Sequence, residues 1–180
     1  MEKFFQLNIK LLTIILFTIM STKTVKASKS NFITLKTSKG SIIIKTLPKI
    51  APNHVKRIKE LVSSGFYNGI IFHRVIEGFM AQTGDPLGNG TGGSGKNLKA
   101  EFSDYKYKYG TVGMARSMNP DSGDSQFFIC FDGCGHLTGQ YTVWGQVETG
   151  MEVVEKIEIG EPPSNPDQII EAFVGKKKTK

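Results

Sequence analysis

The chain is poor in the residue types that build metal centres. Its 180 residues include only two cysteines, and its three histidines, His54, His73 and His136, are scattered along the sequence. Because structural zinc sites draw on Cys and His ligands at short spacing, we expect neither a metal nor a cofactor. No Gly-x-Ser-x-Gly segment occurs, and nothing pairs Ser125 with a base, so a hydrolase triad has little support.

The chain also lacks a basic surface that could hold nucleic acid. Its net charge of +7 comes from the two ends, because residues 1–27 carry four lysines against one glutamate and residues 176–180 carry four lysines. The residues between them are neutral. We therefore expect no nucleic-acid partner, and we interpret residues 176–180 as a solvated basic tail.

No hydrophobic run is long enough to span a membrane. The apolar run Leu11–Met20 has ten residues, whereas a spanning helix needs ~20. Lysines precede the run and Val25-Lys26-Ala27 follows it, so residues 1–27 are predicted to be a signal peptide, with a retained anchor as the alternative. We expect a periplasmic or secreted protein that is not inserted in a membrane after cleavage.

The two cysteines, Cys130 and Cys134, lie in the exported part, where disulfides can form. Their spacing leaves two interpretations open. They close a small loop as a disulfide, or Cys130 ends the apolar run Phe127-Phe128-Ile129 as a buried small hydrophobic residue.

Turn residues and apolar patterns predict one mainly β domain over residues 28–175. Phe32–Thr37 and Ser41–Thr46 flank a turn and predict a hairpin. Further strands are predicted at Ile70–Val75, Phe79–Gly84, Thr111–Ala115, Gln126–Phe131, Tyr141–Val147 and Ile169–Val174, and helices at Pro52–Ser64 and Gly150–Ile157. Without βαβ alternation, this order favours an antiparallel sheet closed on itself, with helices at its ends.

A glycine-rich segment and two of the histidines have structural explanations. Gly88–Gly93 fits Gly-x-Gly-x-x-Gly, and Gly90–Lys96 fits most of the phosphate-binding pattern Gly-x-x-x-x-Gly-Lys. The second pattern needs Ser or Thr where this chain has Asn97, and both need a helix that is not predicted after the loop. We interpret the segment as a loop whose glycines permit positive φ. His54 falls on the polar face of the first helix and is predicted to be solvated, whereas His73 lies in an apolar strand and is more typical of a core histidine.

Four motifs occur in a specific order along the chain. They are Phe72-His73-Arg74, Gly78-Phe79-Met80-Ala81-Gln82, Gly88-Asn89-Gly90-Thr91-Gly92-Gly93 and Ser125-Gln126-Phe127-Phe128-Ile129. In this order and at these separations they make the sequence resemble the cyclophilins, which are peptidyl-prolyl cis-trans isomerases. The resemblance extends from Phe32 to Val174.

The resemblance implies an eight-stranded, closed antiparallel barrel capped by two α-helices, with the site on its outer face. It implies that Arg74 is the catalytic arginine and that Phe79, Met80, Phe128 and Leu137 form a proline pocket. Gln82 and Gln126 are implied as polar positioning residues, and His73 lies at the edge of the pocket. Ala115 and Arg116 are implied to run along the bound peptide, where the main chain of Arg116 holds the substrate backbone.

The implied reaction explains why no cofactor is needed. Rotation about an X-Pro bond is slow because twisting destroys amide resonance. As the bond twists, the prolyl nitrogen regains a lone pair, and a fixed guanidinium donates to it only in that state. The expected partners are proline-containing segments of client proteins, bound by a monomer. The alternative is a chaperone or scaffold of the same fold in which turnover is incidental.

Three implied site positions differ from the best-known eukaryotic cyclophilins. Those proteins carry Asn in place of Arg116, Trp in place of His136 and His in place of Tyr141, so the pattern here resembles bacterial members. The missing indole predicts weak cyclosporin binding, because its apolar face and its N–H donor are both absent.

Overall fold

The computed structural model describes residues 30–176. The predicted signal peptide and residues 177–180 of the predicted tail lie outside the described residues. Within residues 30–176, no helix combines the length and the apolar character that crossing a membrane requires.

Eight strands form one antiparallel sheet. They are β1 (Phe32–Thr37), β2 (Gly40–Thr46), β3 (Arg74–Ile76), β4 (Met80–Thr83), β5 (Thr111–Met114), β6 (Phe127–Cys130), β7 (Val143–Thr149) and β8 (Ile169–Val174). Across the sheet their order is β3-β4-β6-β5-β7-β2-β1-β8. The predicted β1–β2 hairpin is confirmed, with Thr37 opposite Gly40 at its turn.

The sheet is an open half-barrel, so the predicted closed barrel is wrong. β3 and β8 stand at opposite ends of the strand order and form no ladder with each other. Isolated bridges at Ile71–Gln168 and Val75–Gly160 join the chain near these two strands. Residues 161–166 contain three prolines, and proline cannot donate to a ladder, so pairing along this seam is interrupted.

The predicted strand Ile70–Val75 is shifted, because its first residues lie along this interrupted seam. Only Arg74–Ile76 joins the ladder, as β3. The preceding residues pair irregularly: the Phe72 amide donates to the Asp167 carbonyl, and the Ile169 amide donates to the Ile70 carbonyl, each at 2.8 Å. These bonds satisfy the backbone of a buried segment without extending the strand.

The first helix, α1 (Pro52–Ser63), packs on the sheet through one apolar face. Pro52 stands at the start of the helix, where a backbone N–H has no helical partner. The N–H that proline lacks therefore costs the helix no hydrogen bond. The buried residues of α1 are His54, Val55, Ile58, Leu61 and Val62. The second helix, α2 (Met151–Val154), is shorter than the predicted Gly150–Ile157. Two 3₁₀ helices occupy Pro120–Ser122 and Asp132–Leu137.

His54 is buried, so its predicted solvation is wrong. Its side chain is only 1% exposed, and its Nδ1 lies 2.6 Å from Oε2 of Glu101. Glu101 also accepts the backbone amides of His54 and Asn53, each at 3.0 Å, and thereby caps the first turn of α1. The carboxylate that makes this burial possible is 47 residues away in sequence, beyond the reach of a local helical pattern.

We expect Glu101→Gln to destabilise the protein at neutral pH and to weaken its sensitivity to acid. Burial alone would raise the pKa of Glu101, but hydrogen bonds from the His54 ring and from the His54 and Asn53 amides outweigh burial and hold the pKa below its usual value. Stability from this carboxylate is therefore present above the unfolded pKa of about 4.3 and is lost as pH falls through the lower folded pKa.

Urea unfolding at pH 7 measures this effect, with an expected loss of about 1–3 kcal/mol. Repeating it at pH 3 should show a smaller difference between the variant and the wild type. Glu158→Gln, at an exposed carboxylate, is the control. A Glu101→Gln protein with wild-type stability at pH 7 would contradict the capping role.

The apolar core has two parts on opposite faces of the sheet. The larger part is centred on Trp144, whose ring meets the edge of Phe127 with centroids 5.3 Å apart. The smaller part lies on the other face and comprises Met80, Tyr107, Phe128, Cys130, Cys134, Leu137 and Val143. Phe127 and Phe128 belong to different parts because successive side chains of a strand point to opposite faces.

Cys130 and Cys134 form a disulfide. The first of the two interpretations left open by the sequence is therefore confirmed, and both residues are also buried in the smaller core. The bond joins the end of β6 to the 3₁₀ helix Asp132–Leu137. It thus holds this helix, which carries His136 and Leu137, against the sheet.

Candidate active site

The strand register places Arg74, Gln82 and Phe128 in one row. Arg74 on β3 is opposite Gln82 on β4, and Gln82 is opposite Phe128 on β6. Residues directly opposite each other share a face of the sheet. The row continues to Gly113 on β5, where a Cβ would lie 2.5 Å from Cζ of Phe128. The absence of a side chain at Gly113 therefore makes room for the Phe128 ring.

This row opens into a cavity of about 280 Å³ on the face that carries the smaller core. Ten of the twelve site residues predicted from the sequence line it: Arg74, Phe79, Met80, Gln82, Ala115, Arg116, Phe128, His136, Leu137 and Tyr141. The structure thus brings together residues that are up to 67 positions apart, whereas their individual roles stay predictions.

One side of the cavity is apolar. Met80, Phe128 and Leu137 are buried beneath it, and the Phe79 ring stacks on His136 with centroids 5.6 Å apart. Phe128 is braced by its neighbours, since Tyr107 stacks on it and Tyr141 meets it edge-on, each with centroids 5.9 Å apart. This side offers a preformed apolar surface to a small ring.

Arg74 forms the polar side of the cavity. Its Nε donates to Oε2 of Glu161 at 2.8 Å, and its Nη1 donates to Oε1 of Gln82 at 3.5 Å. Nη2 has no acceptor within residues 30–176. Gln82 is held in turn, because its Nε2 donates to Oε1 of Gln126 at 2.9 Å. The guanidinium therefore retains donors for a bound molecule.

Gln126 lines a neighbouring cavity of about 420 Å³ instead of the first one. Its Nε2 donates to the carbonyls of Gly90 and Gly92 at 3.0 and 2.8 Å. Gln82, Ala115 and Arg116 line both cavities, so the two are adjacent. The structure therefore places Gln126 behind Gln82, where it ties the glycine-rich loop to the first cavity.

The glycine-rich loop is anchored by a buried carboxylate, Asp85. Burial alone would raise the pKa of Asp85, but the amides of Leu87, Gly90 and other loop residues donate to the carboxylate and lower it. Gly90 has φ +88°, as the structural interpretation of this loop predicts. The loop is thus held by its own backbone donors, and it shapes the wall of the second cavity.

Arg116 lines the cavity, but all three of its guanidinium nitrogens donate to other groups. Its guanidinium carbon lies 4.3 Å from the centroid of the Tyr141 ring. Nε and Nη2 donate to the Gln140 carbonyl at 3.3 and 3.0 Å, and Nη1 donates to the Ser117 carbonyl at 2.9 Å. The side chain therefore joins two loops of the cavity rim.

His73 is the one predicted site residue that lines neither cavity. It is 5% exposed, and neither ring nitrogen has a hydrogen-bond partner within residues 30–176. Burial lowers the pKa of His73 below its usual value; Asp85 and the neighbouring Gln126 side chain oppose this shift, and Arg74 adds to it. His73 thus lines neither cavity wall, and its contact with substrate stays a prediction.

Two residues of the site were missed by sequence reasoning: Glu161 and Asp85. Glu161 contacts Arg74 across 87 positions, and it stands in a loop without strand or helix periodicity. Asp85 stands two residues after the end of β4 and precedes the glycine-rich segment, so its position before several turn residues was a signal for a loop-capping carboxylate.

The chain was compared with known proteins. Residues 32–174 match the family model described as cyclophilin type peptidyl-prolyl cis-trans isomerase/CLD. This chain belongs to the cyclophilin family. A probable peptidyl-prolyl cis-trans isomerase of Brucella abortus is 49% identical over 165 residues, covering 82% of this chain and 84% of the relative. A peptidyl-prolyl cis-trans isomerase of Helicobacter pylori is 44% identical over 138 residues, covering 74% of this chain and 84% of the relative.

Solved cyclophilin structures have the same fold. The cyclophilin AquaCyp293 of Hirschia baltica matches with a TM-score of 0.74 and 29% identity, covering 82% of this chain and 75% of that one. A Cryptosporidium parvum cyclophilin, solved in the presence of the dipeptide Ala-Pro, matches with a TM-score of 0.75 and 28% identity. The match covers 81% of this chain and 99% of that one. The chain is therefore a cyclophilin-type isomerase in sequence and in fold.

Proposed function

We propose that the Arg74 cavity accelerates rotation about X-Pro bonds in unfolded or flexible segments of client proteins. The observation that carries the proposal is one guanidinium with unused donors facing an apolar surface built from Phe79, Met80, Phe128 and Leu137. We expect a proline ring to bind that surface, and the Cryptosporidium parvum cyclophilin was solved in the presence of the dipeptide Ala-Pro.

In this mechanism the apolar surface holds the proline ring while the preceding amide turns. Arg74 donates to the prolyl nitrogen as its lone pair becomes available, which stabilises the twisted state more than either planar state. No bond is broken, and no proton acceptor is required. Arg suits the role because it stays protonated and its planar fork presents several donors.

The hydrogen bonds of the two arginines at the cavity distinguish their roles. All three nitrogens of the Arg116 guanidinium donate to carbonyls of the rim, and its face is covered by Tyr141. Arg74 makes one short bond and one long bond, so it has donors to spare. We therefore assign catalysis to Arg74, and we assign the shape of the rim to Arg116.

A protease-coupled isomerisation assay on an Ala-Pro peptide tests this proposal with the purified protein. The expected result is a rate above the uncatalysed rotation that increases in proportion to enzyme concentration. A folded protein that binds the peptide without raising the rate would support the chaperone or scaffold alternative. That alternative is not favoured, because the chain retains Arg74 and its relatives are named as isomerases.

We also propose that the protein is exported and acts as a periplasmic or secreted monomer. A disulfide between Cys130 and Cys134 fits an oxidising compartment. Mass spectrometry of the native protein should show an N-terminus at or within a few residues of Ser28, because Val25-Lys26-Ala27 has the pattern of a cleavage site. Ala27→Asp should block processing, whereas an intact Met1 in a cytoplasmic fraction of the wild type would contradict export.

Cyclosporin should bind this protein weakly, and His136→Trp should tighten the binding about thirtyfold. His136 is exposed and covers Phe79 with an imidazole, which offers less apolar surface than an indole. An aromatic contact of this kind contributes about 2 kcal/mol.

Inhibition of isomerisation by cyclosporin measures the effect, and turnover without the drug should change by no more than a few-fold. A wild-type protein that is inhibited as strongly as the variant would show that position 136 does not control the drug.

A further inference from the structure

We propose that Glu161 is a positioning residue that holds the Arg74 guanidinium in the orientation used for isomerisation. This inference rests on the function proposed for Arg74. Its basis is the 2.8 Å hydrogen bond from Nε of Arg74 to Oε2 of Glu161, together with the backbone geometry that fixes where Glu161 lies.

The register at the open seam of the half-barrel makes Arg74 and Glu161 a cross-strand pair. The Val75 amide donates to the Gly160 carbonyl at 2.8 Å, and the Gly160 amide donates to the Val75 carbonyl at 3.0 Å. Because this bridge is antiparallel, the residue before Val75 is opposite the residue after Gly160. Arg74 and Glu161 therefore lie side by side on the same face.

The backbone around Glu161 has little freedom to move. Gly160 has φ +154°, and a Cβ there would lie 2.5 Å from Cα of Pro163, so no other residue fits without a shift. Pro162 follows Glu161 and restricts it to extended conformations. The carboxylate is thus presented to Arg74 by a rigid segment, in contrast to a charge on a flexible loop.

The Arg74–Glu161 pair affects the orientation of the guanidinium more than the stability of the protein. Both side chains are partly exposed, 38% for Arg74 and 52% for Glu161, and exposed ion pairs contribute little to the free energy of unfolding. Glu161 engages Nε, and Gln82 engages Nη1. Acceptors at both Nε and Nη1 restrict the plane of the guanidinium, and Nη2 stays without an acceptor within residues 30–176. Catalysis depends on such prior orientation of the donor.

The test compares Glu161→Ala, which removes the acceptor, with Glu161→Gln, which keeps an amide oxygen. In an isomerisation assay on an Ala-Pro peptide, we expect Glu161→Ala to lower kcat about three- to fivefold and to leave KM within about twofold, because the apolar surface is untouched. Glu161→Gln should retain at least about half of the wild-type kcat. Glu158→Ala, at an exposed carboxylate nearby, removes the same charge and should have no effect.

Two further measurements separate positioning from a general structural role. The NMR signal of the Arg74 Nε–H group should be protected from exchange in the wild type and in Glu161→Gln, and it should lose that protection in Glu161→Ala. In an Arg74→Ala background, Glu161→Ala should have no further effect on the residual kcat, because the guanidinium that Glu161 holds is already absent.

Suppose that the wild type is active and that its activity depends on Arg74. If Glu161→Ala then keeps kcat within twofold of the wild type, the inference about Glu161 is wrong and the function proposed for Arg74 stands. An equal loss of kcat in the Arg74→Ala background would also overturn the inference about Glu161. An inactive wild type, or an Arg74→Ala protein with full activity, would instead refute the function proposed for Arg74.

Discussion

Replacing Arg74 with alanine is expected to lower kcat/KM for an Ala-Pro peptide at least tenfold, while the protein stays folded. Tenfold corresponds to about 1.4 kcal/mol of transition-state stabilisation. The reason is that Nη2 of Arg74 has no acceptor within residues 30–176, whereas all three nitrogens of the other guanidinium, Arg116, donate to carbonyls. Because the Arg74 side chain is 38% exposed, its removal leaves the core intact.

Two comparisons make the Arg74→Ala result specific. Arg74→Lys keeps the positive charge but loses the planar fork, so it should recover only part of the activity. Lys49→Ala removes one exposed positive charge elsewhere and should leave turnover unchanged. Thermal unfolding of each variant checks that the fold is retained. Full turnover by a folded Arg74→Ala protein would remove Arg74 from the mechanism.

Phe128→Ala is expected to cause a large loss of stability, and it should also weaken binding of proline peptides. Phe128 is 4% exposed and packs in the smaller core against the rings of Tyr107 and Tyr141. Truncating a buried phenylalanine costs ~3–5 kcal/mol, because the neighbouring side chains fill the space only in part. The same ring lines the proposed proline pocket, so peptide affinity should fall as well.

Phe127→Ala is the matched control for this experiment. Phe127 is the preceding residue of β6, but it points to the opposite face, where it packs against Trp144 and Tyr67. It should lose a comparable free energy of unfolding and keep normal peptide affinity in the folded fraction. Chemical unfolding and peptide titration on both variants separate the two effects. If Phe128→Ala binds peptide as tightly as Phe127→Ala, then Phe128 is a core residue only.

Local signals in the sequence determined the elements whose stabilising contacts lie close along the chain. The β1–β2 hairpin followed from two apolar strands around Ser38-Lys39-Gly40, and α1 followed from apolar positions at helical spacing after Pro52. The ordered motifs identified the cyclophilin family, and ten of the residues they implied line one cavity. The order and spacing of the motifs are informative here, because strand register determines which residues of different motifs lie next to each other.

Features that depend on partners far along the chain were decided by the tertiary structure alone. His54 is buried because Glu101 reaches it from another loop, and the sheet stays open because a proline-containing segment meets β3. The Cys130–Cys134 disulfide spans only four positions, but it too depends on packing, because the 3₁₀ helix Asp132–Leu137 has to fold back on β6. Arg74 meets Glu161 only because Val75 bridges Gly160. Each of these contacts forms between segments that packing brings together, so no local periodicity or propensity encodes it.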